Sequence, residues 1–343
     1  MTFDPRNILV IDFGQLGDVV MSLPALCAIR ERFPHARITV AVGKPGAEII
    51  DMSGYADQCI SVDRVGLRDG FKPLSVLRVF RVVKDVRRCK FDFVIDLHSF
   101  SETNLLGFCS GAPKRLFSRR PGRSLDFLAN FRPPPPLDDN DPNRHLVDRY
   151  LDVLVPLGVK NQPRAPRLAA TEADDRSVDA ILRKSGAEMG ALLVGLFPGA
   201  GHPGRCWPLE KFAQLADCLV RNDGVRPIVF FGPEERNIAR RLQGLFPPAC
   251  VILDSLSIRQ LASVQARLAV FVSNDTGPVH IAAAVGTPVV VLINRPTHHA
   301  YVPLAASQRV IFSQAIAEIG VEEVYAATRE LFSAGRMVTL FAS

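Results

Sequence analysis

The 343-residue chain has no apolar run near the ~20 residues that a membrane-spanning helix needs. It opens without a secretory signal, because Asp4, Arg6, Asp12 and Asp18 interrupt any apolar segment. Cysteine is sparse and unpatterned: seven residues, an odd number, with no C-x-x-C pair. Free thiols in a reducing compartment explain this better than a disulfide framework. A cytosolic protein is expected, touching a membrane only peripherally. Credible metal motifs are also missing. Asp139-Asn140-Asp141 has the form Asp-x-Asp, but no apolar strand precedes it. The calcium-loop pattern fails there too, for want of Gly at position six and Glu at twelve. With Pro133–Pro136 just upstream, this is read as an extended solvated loop. No zinc or helix-turn-helix pattern occurs and the basic groups lack interleaved aromatics, which argues against nucleic acid as partner.

What is present is a core-forming composition: 48 % hydrophobic and 22 % charged residues, enough for two domains. Lys plus Arg exceed Asp plus Glu by 41 to 35, a balance suited to anionic ligands. Short β-rich apolar runs alternate with helical patterns. Strands are expected at Asn7–Asp12, Ile38–Val42, Cys59–Val62 and Phe93–Leu97, then at Leu192–Phe197, Pro227–Phe231, Val251–Leu253, Ala269–Val272 and Pro288–Ile293. Helices are expected between them, among them Val19–Phe33, Ser75–Cys89, Glu172–Lys184, Leu209–Arg221, Glu234–Leu245 and Pro278–Val285. The rhythm predicts an α/β chain of two doubly wound, Rossmann-like parallel-sheet domains facing a central cleft. The polar stretch Val159–Arg167, with Pro163 and Pro166, marks the seam, giving domains over 1–168 and 169–343.

Four strand-to-helix junctions carry the candidate chemistry. In Val270–His280 an apolar strand runs into Asp275-Thr276-Gly277-Pro278, followed by Ile281-Ala282-Ala283-Ala284. Thr276 or Asp275 suits the cap and Pro278 the first turn, so free N–H groups and the helix dipole offer a phosphate site, with His280 as a further donor. In Leu196–Pro208 a strand enters a Gly-rich loop through Ala200 and Gly201, where Arg205 offers a planar donor fork. Trp207, the sole tryptophan, reads equally as a packing anchor or a base-stacking ring. At Phe230–Glu235, Glu234 can meet a ribose hydroxyl or simply favour the helix dipole. The fourth junction, Ile8–Asp18, lacks the G-x-G-x-x-G fingerprint but brings Asp18 to a helix start through Gly14 and Gly17. A carboxylate placed there accepts backbone N–H bonds and is available as a proton or hydroxyl acceptor, or merely stabilises the helix.

These blocks resemble the ADP-heptose–lipopolysaccharide heptosyltransferase family. The likeness rests on G-x-x-G-D-V-V-x-x-L-P-A-L from Gly14 to Leu26, on Arg32-Phe33-Pro34-His35-Ala36, and on Pro198-Gly199-Ala200. It continues through Trp207-Pro208 with Phe212-Ala213, and through Asp275-Thr276-Gly277-Pro278-x-His280-x-Ala282-Ala283 followed by Gly286-Thr287-Pro288. The resemblance implies the two-lobed GT-B fold and inverting, metal-free transfer from a nucleotide sugar with no cofactor. It implies Asp18 as general base and donor contacts from Ala200, Gly201, Arg205, Glu234, Asp275, Thr276, Gly277 and His280. It departs from the family pattern at Asp12, where relatives usually carry Lys or Arg, and at Gly201-His202-Pro203. Lys114, Arg115, Arg119, Arg120, Arg123 and Arg132 fall in the segment that relatives use to meet an anionic lipopolysaccharide core acceptor. Arg78, Arg81, Lys84 and Arg88 form a helical stripe, read first as a solvated face and second as a rest for anionic lipid.

Overall fold

The computed structural model describes residues 3–63, 73–139, 141–187, 190–232, 244–295 and 298–341. The chain forms two compact units, Met1–Pro166 and Arg167–Ser343.

In the first unit, β1 (Asn7–Asp12), β2 (Arg37–Gly43), β3 (Gln58–Val62), β4 (Phe93–Asp96) and β5 (Lys114–Phe117) form one parallel sheet in the order β3-β2-β1-β4-β5. The apolar run Ile8–Ile11 is buried throughout, as a strand covered on both faces requires. Cover comes from α1 (Leu16–Arg32), α2 (Ala47–Ser53), α3 (Pro73–Arg88), α4 (Ser101–Cys109) and α5 (Leu146–Val153). Phe3, Phe33, Phe93 and Phe131 cluster with neighbouring centroids 4.9–6.4 Å apart, edge-on except for the tilted Phe93–Phe131 pair.

In the second unit, β6 (Leu193–Phe197), β7 (Arg226–Phe230), β8 (Val251–Leu253), β9 (Val270–Asn274), β10 (Val289–Ile293) and β11 (Gln308–Phe312) are again all parallel, ordered β11-β10-β9-β6-β7-β8. Helices α6 (Glu172–Lys184), α7 (Leu209–Asp223), α8 (Ile258–Gln265), α9 (Gly277–Ala284) and α10 (Val321–Phe341) accompany it. Helix α10 packs on α7 and on β9–β11.

Two edge strands, β5 and β11, were not expected. Lys114-Arg115 reads as a charged surface segment, and Gln308–Phe312 has mainly half-exposed or exposed positions, so neither shows a core-strand period. The helix expected over Glu234–Leu245 lies mostly outside the described residues, and Glu234 with it.

The strand orders place a switch point in each unit. Chain direction across the sheet reverses between β1 and β4 in the first, and between β6 and β9 in the second. Loops leaving the carboxyl ends of such strand pairs diverge and open a crevice, where ligands of doubly wound sheets bind. The motifs at Gly14, Ala200 and Asp275 all leave one of these four strands.

Close packing at the second switch point gives a stability test. A Cβ on Gly195, in mid-β6, would lie 2.5 Å from Leu268 Cδ1 and 2.6 Å from Phe271 Cδ2. Gly195→Ala is expected to destabilise this unit by about 1–3 kcal/mol through overpacking, read as a lower urea midpoint.

Candidate active site

The first half-site lies where β1 and β4 part. Asp18 is the third residue of α1, and its Oδ2 accepts from the Gln15 N–H at 2.8 Å, closing a capping box. Gly14 makes this approach feasible: a Cβ there would stand 2.4 Å from Asp18 Cβ. Gly17 is buried in the first helical turn. Asp12 is fully buried and accepts from the Gly14 N–H at 2.9 Å, so it fixes the turn that leads to Asp18. The β4 loop faces it with His98, whose Nδ1 lies 3.5 Å from Asp12 Oδ1. Buried Asp96 accepts from the His98 and Ser99 N–H groups at 3.1 and 2.7 Å and from Asn104 Nδ2 at 2.7 Å. Burial, partly offset by those donors, Thr103 and the His98 charge, pushes the Asp96 carboxyl up to about 6.

The basic segment is less open than its sequence suggests. Lys114 and Arg123 are exposed. Arg119 pairs with Asp126 at 3.5 Å and Arg120 with Asp138 at 3.5 Å. Arg120 also donates to the His98 carbonyl at 3.0 Å. Arg115, half-buried, braces its own unit: its guanidinium donates to the Leu128 and Ala112 carbonyls at 2.9 and 2.6 Å and stacks over Phe108. Pairing of β5 with β4 turns that side chain back onto its own unit.

The second half-site lies where β6 and β9 part, and Asn274 joins its two loops. Asn274 Nδ2 donates to the Pro198 carbonyl at 2.8 Å and, more weakly, to that of Gly199 at 3.3 Å, while Oδ1 accepts from the Trp207 N–H at 2.9 Å. Asn294 adds a strut, its Nδ2 donating to the Gly204 carbonyl at 2.9 Å. Between these anchors Ala200 is half-buried, Gly201–Gly204 are exposed, and Arg205 is half-buried. Trp207 is corrected to the packing anchor: its ring is buried, meets Phe212 edge-on at 4.9 Å, and donates Nε1–H to the Ile319 carbonyl at 3.0 Å. A ring enclosed in this way has no face for a base.

Thr276 takes the N-cap position of α9 in an extended conformation, without a side-chain capping bond, and Gly277 and Pro278 form its first turn. Pro278 has no N–H and Val279 donates to the Thr276 carbonyl at 3.2 Å, so what this helix start offers an anion is chiefly its dipole end. His280 is buried one residue further along. Asp275 is nearly buried and pairs with Arg295 Nε at 2.9 Å. Neither Arg295 nor Asn274 is recognisable from sequence as a site residue. The cue for Arg295 is its place: it follows β10, on the sheet edge that already carries the other two loops. Its charge matters, since an unpaired Asp275 carboxylate would repel a phosphate at this helix start. Among the described residues, no three His, Cys, Asp or Glu side chains converge as a metal would require, and no helix is long and apolar enough to cross a membrane.

Asn274→Asp should keep the bond from Trp207 but set an anion against two carbonyls. We expect a loss of about 1–3 kcal/mol, seen as a lower denaturant midpoint, without change in the first unit's circular-dichroism contribution.

Comparison with known proteins agrees with this architecture. Residues 79–325 match the model of glycosyltransferase family 9 (heptosyltransferase). Lipopolysaccharide heptosyltransferase 3 of Escherichia coli is 22 % identical over 287 residues, 82 % of each chain. Lipopolysaccharide heptosyltransferase 2 of Salmonella typhimurium is 24 % identical over 318 residues, 89 % of this chain and 87 % of that one. Among solved structures, a family 9 glycosyl transferase from Veillonella parvula superposes with a TM-score of 0.84 at 23 % identity, over 97 % and 99 % of the two chains. The E. coli ADP-heptose lps heptosyltransferase II gives 0.79 at 20 % identity, over 96 % and 99 %. The fold is therefore that of the GT-B transferases. With most of its length matched by the family model, the chain belongs to glycosyltransferase family 9, the heptosyltransferases.

Proposed function

We propose that the chain is an inverting, metal-independent heptosyltransferase that moves a heptose from ADP-heptose to an anionic acceptor of the lipopolysaccharide inner core. The observation that carries this reading is the fixed carboxylate of Asp18, held at the start of α1 by the Gln15 N–H. Family membership and the lipopolysaccharide heptosyltransferases among its relatives support the sugar and acceptor class. An E. coli heptosyltransferase has been solved with ADP and with ADP-2-deoxy-2-fluoro heptose, which supports the donor.

In this scheme Asp18 takes the proton of an acceptor hydroxyl as its oxygen attacks the anomeric carbon. The bond from that carbon to the diphosphate breaks on the opposite face, inverting the centre, and ADP leaves with the electron pair. The departing charge is met by the α9 dipole end and Thr276, by Arg205, and by His280. The Ala200–Gly201 loop lets backbone approach the nucleotide, and Glu234 is assigned to its ribose. Asp275 orders Arg295 rather than opposing the phosphates. Lys114, Arg119, Arg120 and Arg123 are assigned to the phosphate and carboxylate groups of the acceptor. The first unit is thus the acceptor domain and the second the nucleotide-sugar domain. The exposed Arg81, Lys84, Arg87 and Arg88 on α3 suit peripheral contact with an anionic cytoplasmic membrane face.

Three measurements test the proposal. Asp18→Asn should lower turnover by about 10²–10⁴-fold while leaving the Kd for ADP within about twofold; retained turnover would remove Asp18 as base. Gly14→Ala should reproduce the loss, since the added methyl displaces Asp18. Calorimetry with ADP, GDP and UDP should rank ADP first, and NMR of the product should show the anomeric configuration opposite to the donor's. A preference for UDP or GDP would overturn the donor assignment.

A further inference from the structure

A second carboxylate stands beside the proposed base. The position that a Gly14 Cβ would occupy is 3.0 Å from Asp12 Oδ1 and 3.2 Å from Asp18 Oδ2, so the two carboxylates flank one glycine. Two bare anions at such range oppose each other's ionisation. Asp12 cannot escape by turning to solvent, being fully buried and tied to the Gly14 N–H. What answers its charge is His98, brought from β4 by the switch-point pairing that sets Ile11 beside Asp96. Burial pushes the Asp12 carboxyl up. The His98 contact and charge, the Ser22 hydroxyl and the Gly14 N–H together outweigh burial and hold it below the usual carboxylate range.

The imidazole is itself confined. Its backbone N–H donates to Asp96 and its carbonyl accepts from Arg120 Nη1. Phe100 meets the ring edge-on at 4.3 Å, and the Arg120 guanidinium lies over Phe100 at 5.3 Å. Ser99 turns the chain away with a left-handed φ of 47°, a conformation that non-glycine residues adopt only where their surroundings enforce it. A histidine held from its backbone and one ring face, with Nδ1 directed at a buried carboxylate, is in a fixed orientation.

We propose that Asp12 and His98 form a positioning pair for the general base. Asp12 fixes the Gly14 turn that presents Asp18, and the imidazole, in contact with Asp12 at 3.5 Å, helps to hold that carboxyl low. The inference rests on Asp18 being the base. Neither member touches substrate; both act through Asp18. Among the described residues, the other charged groups facing the pair are Asp96, from the same loop as His98, and Arg120, from the segment after β5. Both are retained in every variant below.

The test is the pH profile of transfer, measured as kcat and KM separately for wild type, His98→Gln and Asp12→Asn, with ADP affinity and thermal melting as folding controls. His98→Gln removes the contact from β4 that holds the Asp12 carboxyl low, so the acid limb of kcat should move to higher pH. At a fixed pH on that limb kcat should fall several-fold, with KM and the Kd for ADP within about twofold. Asp12→Asn keeps an acceptor for the Gly14 N–H but removes the anion, so the limb should move to lower pH. A merely structural pair would reduce kcat without moving the limb in opposite directions. Limbs that stay at the wild-type position, or that move the same way, overturn the proposal. Should Asp12→Asn fail to fold, an unmoved limb in His98→Gln is sufficient to overturn it. Asp18→Asn separates the two readings. If that variant still turns over, the base assignment fails and the pair falls with it; if it is inactive while the limbs stay put, the pair alone is wrong.

Discussion

The amide of Asn274 is buried at the point where the second sheet divides, and the loops on either side take their positions from it. Its acceptor end receives the N–H of Trp207 and its donor end reaches the carbonyls of Pro198 and Gly199. Those groups begin and end the Gly-rich loop, so that loop leaves and returns at fixed points although its middle is exposed. Asn274 is also the last residue of β9, directly before Asp275 and the start of α9. One side chain therefore registers the Gly-rich loop against the helix terminus. Neither aspartate nor leucine can replace it, because the site asks for a donor and an acceptor on one planar group.

Each unit contains a buried aspartate faced by a basic side chain from a neighbouring strand. In the first unit Asp12 leaves β1 and meets His98 from the end of β4; in the second Asp275 leaves β9 and meets Arg295 from the end of β10. The shared geometry follows from parallel pairing, which aligns the carboxyl ends of adjacent strands and brings their next residues together. The placement has a chemical consequence. If Asp18 is the base and the α9 terminus meets the donor phosphates, as proposed, neither has an aspartate beside it that lacks a basic neighbour.

The sequence revealed those features that follow a local period or a cap. Buried strands such as Ile8–Ile11 and Val289–Ile293 are unbroken apolar runs, and α6 and α8 announce themselves by Thr171 and Ser257 capping boxes. Edge strands β5 and β11 did not, because one side of each faces solvent and their composition is that of a loop. Gly14, Asp18 and Asp275–Gly277 were legible because turn chemistry and helix starts are encoded by adjacent residues. Asn274, Arg295 and His98 were not. Asn274 acts on residues 67–76 positions away and His98 on one 86 positions away, so their roles exist only once the strand order is known. Trp207 and Arg115 show the converse. A lone aromatic or a cation in a basic run looks like a ligand contact until its partners, Ile319 and Leu128, are seen to be the protein's own carbonyls.

The dependence on strand neighbours constrains how such sites can change. A buried ion pair is costly to break from one side, because the remaining charge keeps its desolvation penalty without its partner. Loss of Arg295 would leave Asp275 as an anion beside the α9 terminus. Loss of His98 would take away the side chain that faces Asp12 near Asp18. Each single change therefore damages a function that the altered residue does not itself perform. Asp12 and His98 have to be exchanged together, and so do Asp275 and Arg295. The arrangement of each strand end is then a property of two adjacent strands rather than of one motif, which is why the Asp18 carboxylate and the Asp275–Gly277 turn are best understood through the residues packed behind them.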